Sequence, residues 1–217
     1  MESRRGTLSG PSAISVWREF LRRIRQRGGD AELIVRSCRE PALFEAVFEH
    51  HFLAVYRYLR RRVGDASAEE LAAETFLQAF ASRERYRPHS SQSALPWLFG
   101  IATNLMLEQA RRQERQERAY SRVAAAVECP EDGDRAGDRL IVGEEARRIV
   151  AAISALPEAQ RETLLLHAWA DLTSEEIGEA LAIPAATARS RLSRARATVA
   201  AALLEDVATT DAVEEEK

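Results

Sequence analysis

Apolar side chains recur with a helical period along most of the chain, and that period excludes nearly every alternative to an all-α fold. Leu43, Phe44, Val47, Phe48, His51, Phe52, Val55, Tyr56 and Leu59 follow i, i+1, i+4 spacing over several turns. The run closes at Gly64-Asp65. No segment alternates apolar and polar residues as a half-buried strand does, and no repeat of fixed period occurs. With 10 glycines and 7 prolines in 217 residues, long helices run uninterrupted.

The same spacing predicts the remaining elements. Residues 14–27 place Trp17, Phe20, Leu21 and Ile24 on one face of a short helix rich in arginine, which stops at Gly28-Gly29. Docking on its own domain is the expected role of this helix, with a membrane surface or nucleic acid as rivals. Ser67 and Glu70 have capping-box spacing, and the helix they open turns Leu71, Thr75, Phe76, Ala79 and Phe80 inward. A polar loop surrounds residues 87–91. A third helix starts near Pro96, buries Trp97, Leu98, Ile101 and Leu105, and ends in the charged run 111–115. Periodicity then lapses, with Pro130, Gly133 and Gly137 among several acids.

It resumes near Glu144, and Leu156-Pro157 opens a compact unit. One helix carries Leu164, Leu165, Leu166 and Trp169, and Asp171-Leu172 makes a turn. Thr173 and Glu176 form a second capping box, before Ile177 and Leu181 on the inner face. Ile183-Pro184 makes another turn, and a last helix runs from about Ala185 to Leu204. The expected division is an N-terminal extension (1–40), a helical domain (41–115), a flexible acidic linker (116–143), a second helical domain (144–204) and an acidic disordered tail (205–217).

The net charge of −3 hides a strong pattern. Between Pro184 and Leu204 there are four arginines and no acid, whereas residues 205–217 carry six acids and one lysine. Local fields decide nucleic-acid binding, so the acidic balance of the whole does not exclude it. Enzyme chemistry finds no support: there is no glycine-rich phosphate loop, metal-spaced Cys/His cluster or nucleophile elbow. No catalytic residue, metal, cofactor or small-molecule substrate is therefore expected. His51 lies on an apolar face and reads as a core histidine, and Cys38 precedes the His50-His51 pair too loosely for a zinc site. No apolar run approaches the ~20 residues of a membrane span. Two distant cysteines and no signal-peptide pattern make a cytoplasmic location the expectation.

The sharpest local signal is TSEEIGEALAIPAATARSRLSRAR, residues 173–196. A short capped helix, a turn and a basic second helix is the sequence form of a helix-turn-helix, whose second helix enters the major groove of DNA. Small Ala185 and Ala186 permit close approach. Thr187, Arg189 and Ser190 stand near the helix start, and Arg191, Arg194 and Arg196 can reach phosphates or base edges.

The run ALPEAQRETLLLHAWADLTSEEIGEALAIPAATARSRLSRAR (155–196) resembles region 4 of bacterial sigma factors of the extracytoplasmic-function group. SAEELAAETFLQAF (67–80) and LPWLFGIATNLMLEQARR (95–112) resemble region 2 of the same sigma-70 family. The two matches stand in the family's order and cover about half the chain. They imply an RNA polymerase specificity subunit that recognises the −35 and −10 promoter elements and aids melting. Core RNA polymerase (coiled coil of the largest subunit, and flap) and promoter DNA are the implied partners, and an anti-sigma factor is a further partner the resemblance allows.

By position in the family motifs, Glu69, Glu70, Leu71, Glu74, Thr75 and Phe76 are the implied polymerase contacts. Thr103, Asn104, Arg111 and Arg112, with Tyr86 and His89 in the preceding loop, are the implied −10 contacts. Thr187, Arg189, Ser190, Arg191 and Arg194 are those of the −35 element. Trp97 reads as core rather than as a stacking platform. The linker acids Glu128, Glu131, Asp132, Asp134 and Asp138 have two readings, a mimic of RNA charge in the polymerase or a plain solvated tether. The alternative function is a dimeric helix-turn-helix regulator acting without polymerase.

Overall fold

The computed structural model describes residues 29–87, 93–124 and 144–214. The basic segment 14–27, His89 and the linker acids lie outside these residues. All regular elements among the described residues are helices.

The first unit begins at Asp30, earlier than the expected boundary at 41. Helix α1 (Asp30–Ser37) is amphipathic and buries Asp30, Ile34 and Ser37. Asp30 joins distant parts of the chain: Oδ2 lies 2.7 Å from His51 Nε2 and accepts the Ala94 amide at 3.1 Å. Both His51 and Asp30 are almost fully buried, so the core reading of His51 holds with a specific partner.

After a 3-10 turn at Pro41–Leu43, α2 (Phe44–Val63) carries the strong apolar stripe of the sequence. Gly64 closes α2 with φ 80° and leads directly into α3 (Asp65–Ser82). That positive φ strongly favours glycine and leaves one residue between the helices. Helix α3 therefore starts at Asp65 with no side-chain cap, and the Ser67–Glu70 box is not formed, because Ser67 already lies inside the first turn.

A second 3-10 turn (Arg83–Arg85) leads toward α4 (Leu95–Ala124). The Ala94 amide bond to Asp30 and a Leu95 amide bond to Ser93 Oγ at 3.2 Å fix its start. The helix continues past residue 115 into the expected linker. Edge-to-face rings join the three long helices: Phe44 on Phe80 at 5.4 Å and Tyr58 on Phe99 at 5.2 Å.

The second unit comprises α5 (Glu144–Ala155), α6 (Glu158–Ala170), α7 (Ser174–Ala180) and α8 (Ala185–Glu214). Asp171 closes α6 in the left-handed region. Thr173 and Glu176 form the expected capping box at α7. Between α7 and α8 the turn is tight. The Ile183 amide returns to the Gly178 carbonyl at 2.8 Å, and a Cβ on Gly178 would sit 2.7 Å from the Ile183 carbonyl oxygen. Helix α8 runs to Glu214, well into the segment expected to be disordered, because neither proline nor glycine interrupts it.

The two units share one core. Leu166, Ala170, Leu172, Ile177, Ala180 and Ala188 belong to the same apolar cluster as Leu59, Leu98, Phe99 and Ala102. Helix α4 packs on α2 and α3 and also on α7.

Ala182, in the turn before α8, has φ 53°. The left-handed region costs an L-residue roughly 1 kcal/mol that glycine avoids. Ala182→Gly should therefore raise the urea midpoint, by about 0.5–1 kcal/mol of stability, without changing helix content.

Candidate nucleic-acid and polymerase interfaces

Helix α8 seats itself on α6 and α7 through Ala188, Leu192 and Ala195, all buried. That choice of inner face decides what points outward. Arg189, Ser190 and Arg194 are exposed, and Thr187 and Arg191 are half-buried beside them. Arg194 donates to Ser190 Oγ at 2.9 Å, and Arg189 to Glu175 at 2.6 Å. The latter pair is more than half exposed on both sides, so it orients the guanidinium at little cost to its release. Further along, Arg196 donates to His167 Nε2 at 2.6 Å while His167 Nδ1 bonds the Leu172 carbonyl at 2.9 Å. The ring thus links α8 to the turn that follows α6.

A second surface lies between α3 and α4. Glu69, Glu70 and Glu74 are exposed, whereas Leu71, Thr75 and Phe76 are buried, with Thr75 Oγ1 donating to the Leu71 carbonyl. Those three pack α3 into its own unit and expose little surface, although Leu71 also lines the adjoining groove. The apolar surface comes instead from Leu77, 64% exposed at the edge of a groove of about 750 Å³. Glu70, Glu74, Gln78, Leu105, Glu108 and Arg112 also line this groove. The sequence signal for Leu77 was its place one step off the inward stripe of α3.

The third surface is the outer side of α4. Asn104, Arg111 and Arg112 are exposed. Arg112 pairs with Glu108 at 2.6 Å on its own helix, and Arg111 with Glu158 of α6 at 2.7 Å. Thr103 and Tyr86 depart from expectation. Thr103 is fully buried, and its hydroxyl lies 3.3 Å from Tyr58 Oη. Tyr86 is 4% exposed and packs on Trp97 at 4.9 Å. Neither can meet a DNA strand in this arrangement, since each is spent on packing within the closed molecule. Trp97 sits against the core, as expected.

A buried ionic cluster joins the units. Arg62 makes a bidentate pair with Glu162, at 2.7 and 2.6 Å, and also donates to Tyr58 Oη at 3.2 Å. Burial disfavours the Arg62 charge, but the Glu162 hydrogen bonds and the neighbouring Tyr58 outweigh it and hold the guanidinium charged. Burial pushes the Tyr58 hydroxyl up to about 12. Among the described residues no group of three or more His, Cys, Asp or Glu could hold a metal ion. Nor is any helix there long and apolar enough to cross a membrane.

The family description Sigma-70 region 2 matches residues 47–116, and Sigma-70, region 4 matches residues 146–199. The chain belongs to the extracytoplasmic-function group of the sigma-70 family. It is 29% identical over 166 residues to the ECF RNA polymerase sigma factor SigK of Mycobacterium sp. strain KMS, spanning 75% of this chain and 85% of that one. It is 33% identical over 162 residues to ECF RNA polymerase sigma factor SigE of Mycolicibacterium smegmatis, spanning 70% of this chain and 58% of SigE.

Two solved structures share the fold at 20% identity. CnrH in complex with the cytosolic domain of CnrY has a TM-score of 0.56, covering 82% of this chain and 99% of that one. RpoE in complex with the anti-sigma factor NepR, from Bartonella quintana, has a TM-score of 0.52, covering 74% and 96%. The first unit is thus region 2 and the second region 4. A dimeric regulator would account only for the second.

Region 4 also contributes a perturbed carboxyl next to region 2. Burial, and then the Glu176 charge, push Glu179 up to about 7, and the Glu179 charge in turn helps burial raise the Tyr86 hydroxyl. Folding therefore takes up a proton between the unfolded carboxyl range and about pH 7, so this contribution to stability declines as pH rises through that window. Thermal midpoints measured between about pH 5 and pH 8 should fall more for the wild type than for Glu179→Gln.

Proposed function

We propose that this chain directs core RNA polymerase to promoters through three surfaces with separate tasks. The observation that carries this reading is the coexistence in one chain of an arginine-lined helix-turn-helix and a glutamate-lined groove that carries an exposed leucine, one on each sigma region. Thr187, Arg189, Ser190, Arg191 and Arg194 of α8 contact the −35 element, phosphates fixing position and base edges giving specificity. Asn104, Arg111 and Arg112 of α4 contact the −10 element and the strand opened from it. Unpaired DNA needs backbone neutralisation and polar contacts, which this surface offers.

Glu69, Glu70 and Glu74 steer α3 onto a basic helical partner, the coiled coil of the largest polymerase subunit. Leu77 supplies the desolvated anchor that carboxylates alone lack. Bond-making belongs to the polymerase, and this subunit supplies no catalytic group, metal or cofactor. Its place is the cytoplasm. The two solved neighbours are held by the cytosolic domain of CnrY and by the anti-sigma factor NepR respectively. An anti-sigma factor is accordingly proposed as a partner here too.

Abortive transcription by purified core polymerase, on a pool of promoter fragments, tests the reading. Initiation at a discrete set of fragments should appear only when this protein is added. Initiation that is indifferent to the protein, together with a DNA footprint by the protein alone, would replace this reading with an independent regulator. Within the same assay Leu77→Glu should weaken core binding by about 30-fold or more, the scale of an interface anchor. Helical content should be unaltered, because Leu77 is already exposed. Arg194→Ala should lower the slope of log affinity against log salt for −35 duplex by about one phosphate contact.

A further inference from the structure

We propose that the exposed far half of α4 is a contact for double-stranded DNA, laying Arg115 and Arg118, in line with Asn104 and Arg111, along the phosphates of the paired DNA that borders the −10 element on the side of the −35 element. This rests on the sigma reading above and extends it past the family motif. The region 2 match ends at residue 116, and Arg118 lies beyond it.

Every residue from Glu108 to Arg118 is exposed. The helix buries no face over these three turns, and a helix that is polar all round draws its stability from i,i+4 pairs rather than from packing. Such pairs are present. Glu108 binds Arg112 at 2.6 Å, and Glu114 lies 3.7 Å from Arg118, each with the acid N-terminal to the base, which is the favourable order. Neither glycine nor proline interrupts the chain between Gly100 and Pro130. Pairing and propensity explain why the helix persists, but not how its charges are sorted around the axis.

At 3.6 residues per turn, Asn104, Arg111, Arg115 and Arg118 stand at i, i+7, i+11 and i+14, within about 60° of one another. Glu108 and Arg112 widen that sector to about a third of the circumference and neutralise each other. The remaining two thirds, between Glu108 and Arg118, hold two glutamates, three glutamines and an alanine. A helix that is only solvated gains nothing from such sorting, whereas a helix laid against a polyanion does.

The row from Asn104 to Arg118 is about 21 Å long, the length of about six base pairs. Cations in a straight, rigid row suit phosphates that are themselves held in a rigid row, as in a duplex. Single-stranded DNA is held by aromatic stacking as well as by charge, and residues 104–118 include no aromatic side chain. The present partners of the row are weak competitors. Arg115 donates to the Arg111 carbonyl at 3.0 Å, and the Arg118 and Arg111 pairs lie in solvent, where a phosphate can replace the carboxylate. Asn104 stands at the opened −10 strand, and opening runs on toward the start site, while the −35 element is read as duplex. The paired DNA beside the −10 element is therefore the stretch that leads to the −35 element.

The test uses polymerase holoenzyme assembled with the full chain, and two fluorescein-labelled probes cut from one promoter fragment that initiates in the transcription assay. One probe is a fork, a short duplex arm that ends at the −10 element with the −10 non-template strand left single. The other is the same single strand without the arm. Arg115→Gln with Arg118→Gln should weaken fork binding roughly tenfold at low salt and lower the slope of log affinity against log salt by about two, with the single strand bound as by wild type. Arg115→Lys with Arg118→Lys keeps both charges and should restore fork binding. Both positions are exposed, so helical content and core binding without DNA should stay as in wild type.

Equal loss on the two probes would assign these arginines to the opened strand and overturn the duplex contact. Unaltered fork affinity and salt slope in the glutamine variant would overturn it as well, leaving this half of α4 a solvated spacer. Weakened core binding in the absence of DNA would give the row to a polymerase surface instead. Each of these outcomes leaves the sigma reading standing. Absence of initiation from every fragment with the wild-type protein would overturn the sigma reading and the duplex contact with it.

Discussion

Helix α4 has to pack against both units at once, and the arrangement of the whole molecule follows from that. One side of it carries Leu98, Phe99 and Ala102 into region 2, against α2 and α3. Gly100 brings its backbone against α7 of region 4. What remains for partners is a narrow strip with Asn104, Arg111 and Arg112, and part of that strip is already claimed by Glu158. The start of the helix is held from a distance by Asp30, which also binds His51 on α2. The short α1 is therefore an integral part of the first helical unit.

Charge is distributed to keep the two kinds of partner apart. The exposed glutamates lie on α3, along a groove of mixed lining whose edge is Leu77, and suit a basic protein surface. The exposed arginines near the start of α8 suit a polyanion. Local fields act over about a Debye length, near 10 Å, so an overall charge of −3 does not prevent the basic first turns of α8 from meeting DNA. The same rule lets region 4 carry arginines on α8 while α6 and α7 present acids to region 2. Each helix face answers to its nearest neighbours.

Much of this was legible in the sequence because helices declare themselves locally. The 3.6-residue stripe from Leu43 to Leu59, the Thr173–Glu176 box and the turn at Ile183-Pro184 are short-range patterns, and the structure contains all three. Where local signals competed, the nearer breaker won. Gly64 set the start of α3, so Ser67 and Glu70 never formed their box. The inward residues Leu71, Thr75 and Phe76 match a family motif but are taken up largely by packing, Leu71 alone of the three also lining the groove. Motif matching cannot separate a residue that holds a helix in place from one that meets a partner.

The sequence by itself determined the all-α class, the two sigma regions in order, and the basic face of the recognition helix, since each depends on periodicity and charge within one or two helices. Tertiary structure alone decided that Asp30 and His51 meet, that Thr103 and Tyr86 turn inward, and that Arg62 finds Glu162. These are contacts between residues far apart in the chain, in the last case 100 positions. No local pattern encodes which of several arginines will face which of several glutamates. Backbone approach at Gly100 and the loss of water around the pair settle it.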